Sequence, residues 1–177
     1  KEIYKIANFI PPHYKFLNMK VLCRDLLGVR KELNARKIVY FAGSINDPRK
    51  GFNFFVNSLS LLSNEVKSNL LILVLGSKLS KLDILENINV SYKVLGIFSD
   101  EISQVIAYNA ADLFVCASSF DNTPNVVAES QKCGLPVVVR SNTGGAEMIS
   151  NNITGKIVDK NDIEDLAFFI TKFVEGQ

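Results

Sequence analysis

The sequence is poor in the residues that build metal sites, disulfide frameworks and membrane spans. Its three cysteines, Cys23, Cys116 and Cys133, are odd in number and show no CxxC spacing. That argues against a disulfide scaffold and a zinc site, and leaves free thiols in a reducing compartment as the expectation. His13 is the single histidine. It lies in a Pro11-Pro12 stretch outside every strand-end loop, so it is read as a surface residue. Without it no Ser-His-Asp set and no His/Cys metal cluster can be assembled. No apolar run approaches the ~18 residues of a spanning helix, and no signal-peptide pattern is present. Charge of one sign is also lacking: 20 basic against 18 acidic side chains give a net +2. With no basic block, that is too little for a phosphate-backbone binder, so nucleic acid is not an expected partner. With 10 glycines, 5 prolines and 21% charged residues, neither a disordered nor a collagen-like chain fits. The first residue is Lys1 rather than Met, and the chain is read as a piece of something longer.

What is present is a globular pattern. The 177 residues are 47% hydrophobic, enough for one domain, or one domain with a small appendage. Five short runs rich in β-branched or aromatic residues read as strands: Ile38–Ala42, Leu70–Leu75, Val90–Leu95, Leu113–Ala117 and Pro136–Arg140. Several are apolar on both faces, as strands covered on both sides should be. A weaker sixth, Lys156–Val158, follows Gly155. Between them, apolar residues recur at helical spacing: Phe52, Phe55, Val56, Leu59 and Leu62; Ile102, Val105 and Ile106; and Ile163, Leu166, Ala167, Ile170, Phe173 and Val174. Asn161 with Glu164 three residues on reads as a capping-box start for the last helix. A short helix from Val21 to Leu27 is expected to stop at Gly28. The alternation predicts an α/β fold: a Rossmann-like, doubly wound, mostly parallel six-stranded sheet with helices on both faces. Such sheets bind ligands beyond the carboxyl ends of their strands, so the residues just after each strand carry the information.

After the first strand, Gly43-Ser-Ile-Asn-Asp-Pro-Arg-Lys-Gly-Phe52 brings Arg49 and Lys50 to a helix start. Two cations beside free N–H groups suit a phosphate or diphosphate; taken alone they equally read as a solvated turn. The GxxxxGK[ST] and GxGxxG spacings are absent. After the fourth strand, Thr123 reads as an N-cap and Pro124 as the first residue of a helix of about ten residues. Gly134 is expected to close that helix in a left-handed cap. Asp121 precedes it and Glu129 lies inside it. Carboxylates at those two places can accept hydroxyl pairs from a sugar, or be ordinary surface groups. After the fifth strand, Gly144-Gly145 allows a tight turn and close backbone approach to a ligand, or is simply a strand-to-helix turn.

Together, in this order, five segments resemble the C-terminal domain of family 4, or group 1, glycosyltransferases of the GT-B fold. They are Asp47-Pro-Arg-Lys-Gly51; Leu95-Gly96 with Ser99-Asp-Glu-Ile102; Tyr108-Asn-Ala-Ala-Asp112 leading into Leu113-Phe-Val115; Asp121, seven residues and Glu129, followed by Cys133-Gly-Leu-Pro-Val137; and Gly144-Gly145-x-Glu147 with Gly155. The match runs from about Lys37 to the end. Residues 1–36 are expected to form the interdomain connector and first element, and residues 37–177 the donor-binding domain.

The resemblance implies a retaining transferase that moves a sugar from a UDP- or GDP-linked donor to an acceptor hydroxyl, without a metal or other cofactor, in bacterial-type polysaccharide or glycoconjugate synthesis. It implies catalytic roles for Lys50, Asp121 and Glu129. Lys50 and Arg49 would face the diphosphate, with backbone N–H groups of Asn125 and Val126. Glu129 would hold the ribose, Asp121 the transferred sugar, and the loop at Ile97 the base. Two departures stand out. Asp121 sits where the family often has Glu, and Ser44 where it often has an Arg that contacts phosphate. The partner so implied is an N-terminal acceptor-binding domain of the same protein, without which this piece is expected to be inactive. The resemblance implies a cytoplasmic protein and leaves open peripheral association of the full-length enzyme with the inner face of a membrane. Two other readings are a GT-B sugar-nucleotide enzyme such as an epimerase, and a non-catalytic α/β nucleotide-binding module.

Overall fold

The computed structural model describes residues 8–29, 36–76, 83–150, 153–159 and 161–177. Six parallel strands form one sheet in the order β3-β2-β1-β4-β5-β6. They are β1 Lys37–Ala42, β2 Leu70–Leu75, β3 Tyr92–Gly96, β4 Leu113–Cys116, β5 Val137–Arg140 and β6 Gly155–Val158. The seven helices described are α1 Lys20–Leu26, α2 Phe52–Ser60, α3 Asn64–Ser68, α4 Asp83–Asn87, α5 Glu101–Ala110, α6 Asn125–Lys132 and α7 Ile163–Glu175. The expected Rossmann-like α/β architecture is the one observed.

The strand sequences are apolar throughout because they are covered on both faces, and their alternation divides them between two cores. Val39 and Phe41 of β1 join Ile72, Val74, Leu113 and Val115 under α2, α3 and α7. Ile38 and Tyr40 join Leu71, Leu73, Phe114 and Val139 under α5 and α6. A one-residue slip of β1 would exchange the two sets, so register is firmly specified.

Residues 8–29 lie against the α5–α6 layer. Asn109 of α5 accepts from the Leu17 N–H at 2.8 Å and donates to the Lys15 carbonyl at 3.0 Å. Asp112 accepts from Lys20 Nζ, Arg24 Nη2 and the Ile38 N–H, each at 2.7 Å. The Tyr108–Asp112 segment thus ties α1 and its approach to the sheet. Gly28 follows α1 with φ 66°, the left-handed stop expected of it.

Two helix starts differ from the sequence reading. α6 is capped by Pro124, not Thr123: Pro124 is extended, with φ −69° and ψ 113°, and its carbonyl accepts the first helical N–H, from Val127, at 3.0 Å. The helix has 8 residues rather than ten. α7 is capped by Asp162, whose side chain accepts the Asp165 N–H at 3.0 Å, rather than by Asn161 and Glu164. Asn161 is taken one step earlier, its N–H bonded to Asp159 Oδ1 at 3.0 Å. Gly134 adopts φ 74° after α6, as expected.

The strand order fixes where a site can form. The chain runs outward from β1 to β3, returns to β4 at the centre, and runs outward again to β6. The strand order thus reverses between β1 and β4, and the region beyond their carboxyl ends is the place where open α/β sheets bind ligands.

Candidate functional site

The loop after β1 ends in a 3₁₀ turn, Pro48–Lys50, capped by Asp47. Asp47 accepts from the Arg49 N–H at 2.9 Å and from Arg49 Nε and Nη2 at 3.0 and 2.8 Å. These Arg49 hydrogen bonds hold the Asp47 carboxyl below the usual carboxylate range. Arg49 is therefore fastened to its own turn, with its exposed guanidinium at the rim. Lys50 behaves differently. Its stem lies over Gly43, whose added Cβ would stand 3.3 Å from Lys50 Cβ, and its Nζ reaches 3.3 Å from Asp121 Oδ2. Ser44 contributes its carbonyl to the turn, accepting the Asp47 N–H at 3.1 Å, and adds no charge.

Gly51 lets the loops after β1 and β4 meet. It adopts φ 73°, and a Cβ there would lie 1.9 Å from the Ala117 carbonyl oxygen. Beside it, the Ser119 N–H donates to the Arg49 carbonyl at 2.8 Å. A third loop arrives through Gly144, whose N–H donates to the Asp121 carbonyl at 2.8 Å and whose added Cβ would stand 1.5 Å from the Asn122 oxygen. Gly144, the first of the two glycines, thus serves close backbone packing onto the acidic loop. Arg49, Lys50, Phe120, Asp121, Asn122 and Thr123 line a cavity of about 510 Å³, joined by Asn8 from the approach to α1.

Glu129 stands one and a half turns into α6 and is half-buried. Tyr108 Oη donates to Glu129 Oε2 at 3.0 Å, and Gln104 Nε2 donates to the same oxygen at 3.1 Å. Burial raises the Glu129 carboxyl above its ordinary value; the Tyr108 hydrogen bond opposes the rise and the charge of Glu101 adds to it. Burial, with the nearby Glu129 charge, pushes the Tyr14 phenol up to about 12. Gln104 also lines a cavity of about 260 Å³ with Gly43, Leu75, Gly76, Ile97 and Phe98. Ile97 is 71% exposed at its mouth. An apolar recess with one amide beside a carboxylate can take a flat ring and the hydroxyls attached to it.

The structure thus divides the sequence candidates between two neighbouring places. Lys50 and Asp121 meet at one cavity, with Arg49 at its rim, and the Gly144 loop is bonded to the Asp121 backbone. Glu129 sits with α5, next to the recess at Ile97. Asn125 and Val126 open α6, where the first N–H groups of a helix lack intrahelical partners. Asn125 Oδ1 accepts from Asn8 Nδ2 at 2.7 Å. His13 stands 2.7 Å from Glu101, away from the Lys50 cavity. Sequence reasoning gave no role to Tyr108, Gln104 or Asn8. Gln104 and Tyr108 do share one helix face at i,i+4, a signal that was available. Asn8 carries no local signal. Among the described residues, no group of three or more His, Cys, Asp or Glu side chains could hold a metal ion. Nor is any described helix long and apolar enough to cross a membrane. All three cysteines are buried and free.

The family model for glycosyl transferases group 1 matches residues 36–175. A capsular polysaccharide biosynthesis glycosyltransferase from Staphylococcus aureus, CapM, is 28% identical over 153 residues, which is 83% of this chain and 39% of that protein. Sucrose-phosphate synthase from Thermosynechococcus elongatus superposes with a TM-score of 0.76 at 20% identity, over 92% of this chain and 41% of the other. Anabaena HepE in complex with UDP-glucose superposes at 0.73 with 19% identity, over 92% and 45%. The chain therefore spans about two fifths of these proteins' lengths.

Proposed function

Because the chain belongs to the group 1 glycosyltransferases, we propose that its cleft binds a nucleoside-diphosphate sugar, and that the protein transfers the sugar to an acceptor hydroxyl with retention of anomeric configuration. The observation that carries this reading is the Lys50–Asp121 pair, 3.3 Å apart at the β1–β4 crevice, with Glu129 on the helix that the Asp121 loop opens. A nucleotide sugar offers groups for each. Its diphosphate faces Lys50 and the first N–H groups of α6. Its ribose hydroxyls face Glu129, its base the recess at Ile97, and its transferred sugar Asp121. As the glycosidic bond breaks, its electron pair goes to the nucleoside diphosphate. A fixed cation and helix N–H groups stabilise that charge without reorganising. Arg49 stays paired with Asp47 at the rim, so the reading gives the cation's part chiefly to Lys50. The described strands form one sheet, and the reading assigns this unit, from about Lys37 onward, to the donor. The acceptor belongs to a separate acceptor-binding domain in this reading. Synthesis of a polysaccharide or glycoconjugate is the setting it favours, supported by the capsule-synthesis relative.

Calorimetric titration of UDP, GDP, ADP and their sugar conjugates tests the assignment. One nucleoside diphosphate is expected to bind. Lys50→Ala should weaken it by roughly ten- to a hundredfold, the worth of a charge-assisted hydrogen bond, while the matching nucleoside loses little. Equal losses for both, or no binding of any of the three, would overturn the reading.

A further inference from the structure

We propose that Tyr108 and Gln104 are positioning residues: they hold the Glu129 carboxylate by one oxygen, so that the other is presented to the ribose. The proposal rests on the reading of Glu129 as the ribose carboxylate. Tyr108 Oη and Gln104 Nε2 converge on Oε2, at 3.0 and 3.1 Å. Gln104 Nε2 also donates to Tyr108 Oη at 2.9 Å, which directs the phenol's own proton onto the carboxylate. Oε1 has no partner among the described residues. A carboxylate serving only to tie α6 to α5 would gain most by engaging both oxygens, because each lone pair withdrawn from water needs a replacement. Here one oxygen is anchored and the other is left for a ligand.

The anchor is rigid. Tyr108 is 1% exposed. Its ring lies edge-on to Tyr40 at 5.5 Å and to Phe114 at 5.6 Å, with Tyr14 at 6.3 Å. The phenol has no room to rotate away, so the hydroxyl is placed by the packing of the sheet face beneath it. Gln104 completes the set from the wall of the recess that holds Ile97, linking the place proposed for the base to the carboxylate proposed for the ribose. A fixed carboxylate reads a hydroxyl pair better than a mobile one, because the ordering cost is met before the ligand arrives.

The test compares the affinity of a nucleoside diphosphate with that of its 2′-deoxy counterpart, using whichever of UDP, GDP and ADP the wild-type protein binds tightest. Tyr108→Phe keeps the ring and removes the donor; Gln104→Met keeps the shape and removes the amide. Each should lower the ribo-to-deoxy affinity ratio about three- to tenfold, through loss of the ribo ligand, with binding of the deoxy ligand nearly unchanged. A purely structural role would weaken both ligands together and leave the ratio alone. Glu129→Gln separates the proposal from the reading beneath it. If Glu129→Gln collapses the ratio while Tyr108→Phe and Gln104→Met leave it at the wild-type value, the positioning role is overturned and the ribose assignment stands. If Glu129→Gln itself leaves the ratio unchanged, the ribose assignment falls and this proposal with it.

Discussion

Asp121 and Glu129 are eight residues apart in sequence but are held by different means. Asp121 belongs to a loop, and its surroundings are other loops: Lys50 from the β1 side and Gly144 from the β5 side. Glu129 belongs to a helix, and its surroundings are a second helix and a ring cluster seated on the sheet. The first carboxylate is placed by backbone approach that only glycine permits, the second by side-chain packing. Loop-held groups can shift as a ligand arrives; packed ones are fixed beforehand. This suits a division in which the ribose end of a nucleotide sugar is read by a rigid group and the reacting end by an adaptable one.

The comparison can be broken at its loop end. Gly144→Ala would set a Cβ 1.5 Å from the Asn122 oxygen, so the acidic loop must move. Affinity for the nucleotide sugar should fall by more than tenfold and stability by about 1–3 kcal/mol. The ribo-to-deoxy ratio should be unaltered, because Glu129 depends on none of these contacts. Loss of that ratio in titrations of this variant would show that the two ends are one unit.

Asp121→Asn is the next largest. It removes a negative charge 3.3 Å from Lys50. The nucleotide sugar should lose roughly ten- to a hundredfold in affinity with the carboxylate contact. The bare nucleoside diphosphate should instead gain about two- to fivefold, since Lys50 no longer shares its charge with a part-exposed partner. A parallel loss of both ligands would mean that Asp121 serves mainly to place Lys50.

Protonation sharpens the helix end. The Glu129 pKa is raised, first by burial, so its carboxylate takes up a proton at a higher pH than an ordinary glutamate, about 4.3. The ribo-to-deoxy ratio should therefore begin to fall on acidification before an ordinary glutamate would titrate, and Glu129→Gln should flatten that limb. Using the ratio cancels ionisation of the phosphates, which both ligands share. A ratio that is flat with pH in the wild-type protein would exclude Glu129 as the reader of the ribose.

The smallest expected effect is on stability. A group whose folded-state pKa is raised contributes stability that is fully present below its unfolded value and is lost as pH rises through the folded one. At neutral pH the ionised Glu129 is thus a net cost to the fold. Glu129→Gln should melt slightly above the wild type near pH 7, and the difference should vanish in mild acid. A lower Tm at neutral pH would mark the carboxylate as structural.

Much of the fold was legible because strand and helix periods differ. β2 was read to the residue, and β1, β4 and β5 within one residue at either end. The caps were harder. Thr123 and Asn161 are good N-cap types, yet Pro124 and Asp162 take the position, because a carbonyl in one case and a side-chain turn in the other fix where the first helical bond forms. At the site, Lys50 and Asp121 stand out in the sequence as charges in strand-end loops, whereas Glu129, inside a helix, takes its role from the resemblance. Arg49 was visible too, but nothing in its spacing showed that Asp47 would hold its guanidinium.

By itself the sequence determined the six-stranded sheet and its two-sided cover, because apolar alternation and turn residues act locally and recur in order, and its five motif segments carried the resemblance to the family. Only the tertiary structure decided which groups meet. Tyr108 and Glu129 are 21 residues apart, and Lys50 and Asp121 are 71 apart. The first depends on α5 packing beside α6, the second on β1 lying beside β4 and on how closely Gly51 lets their loops approach. Residue types carry the chemistry, but strand order and backbone clearance set the distances at which it acts.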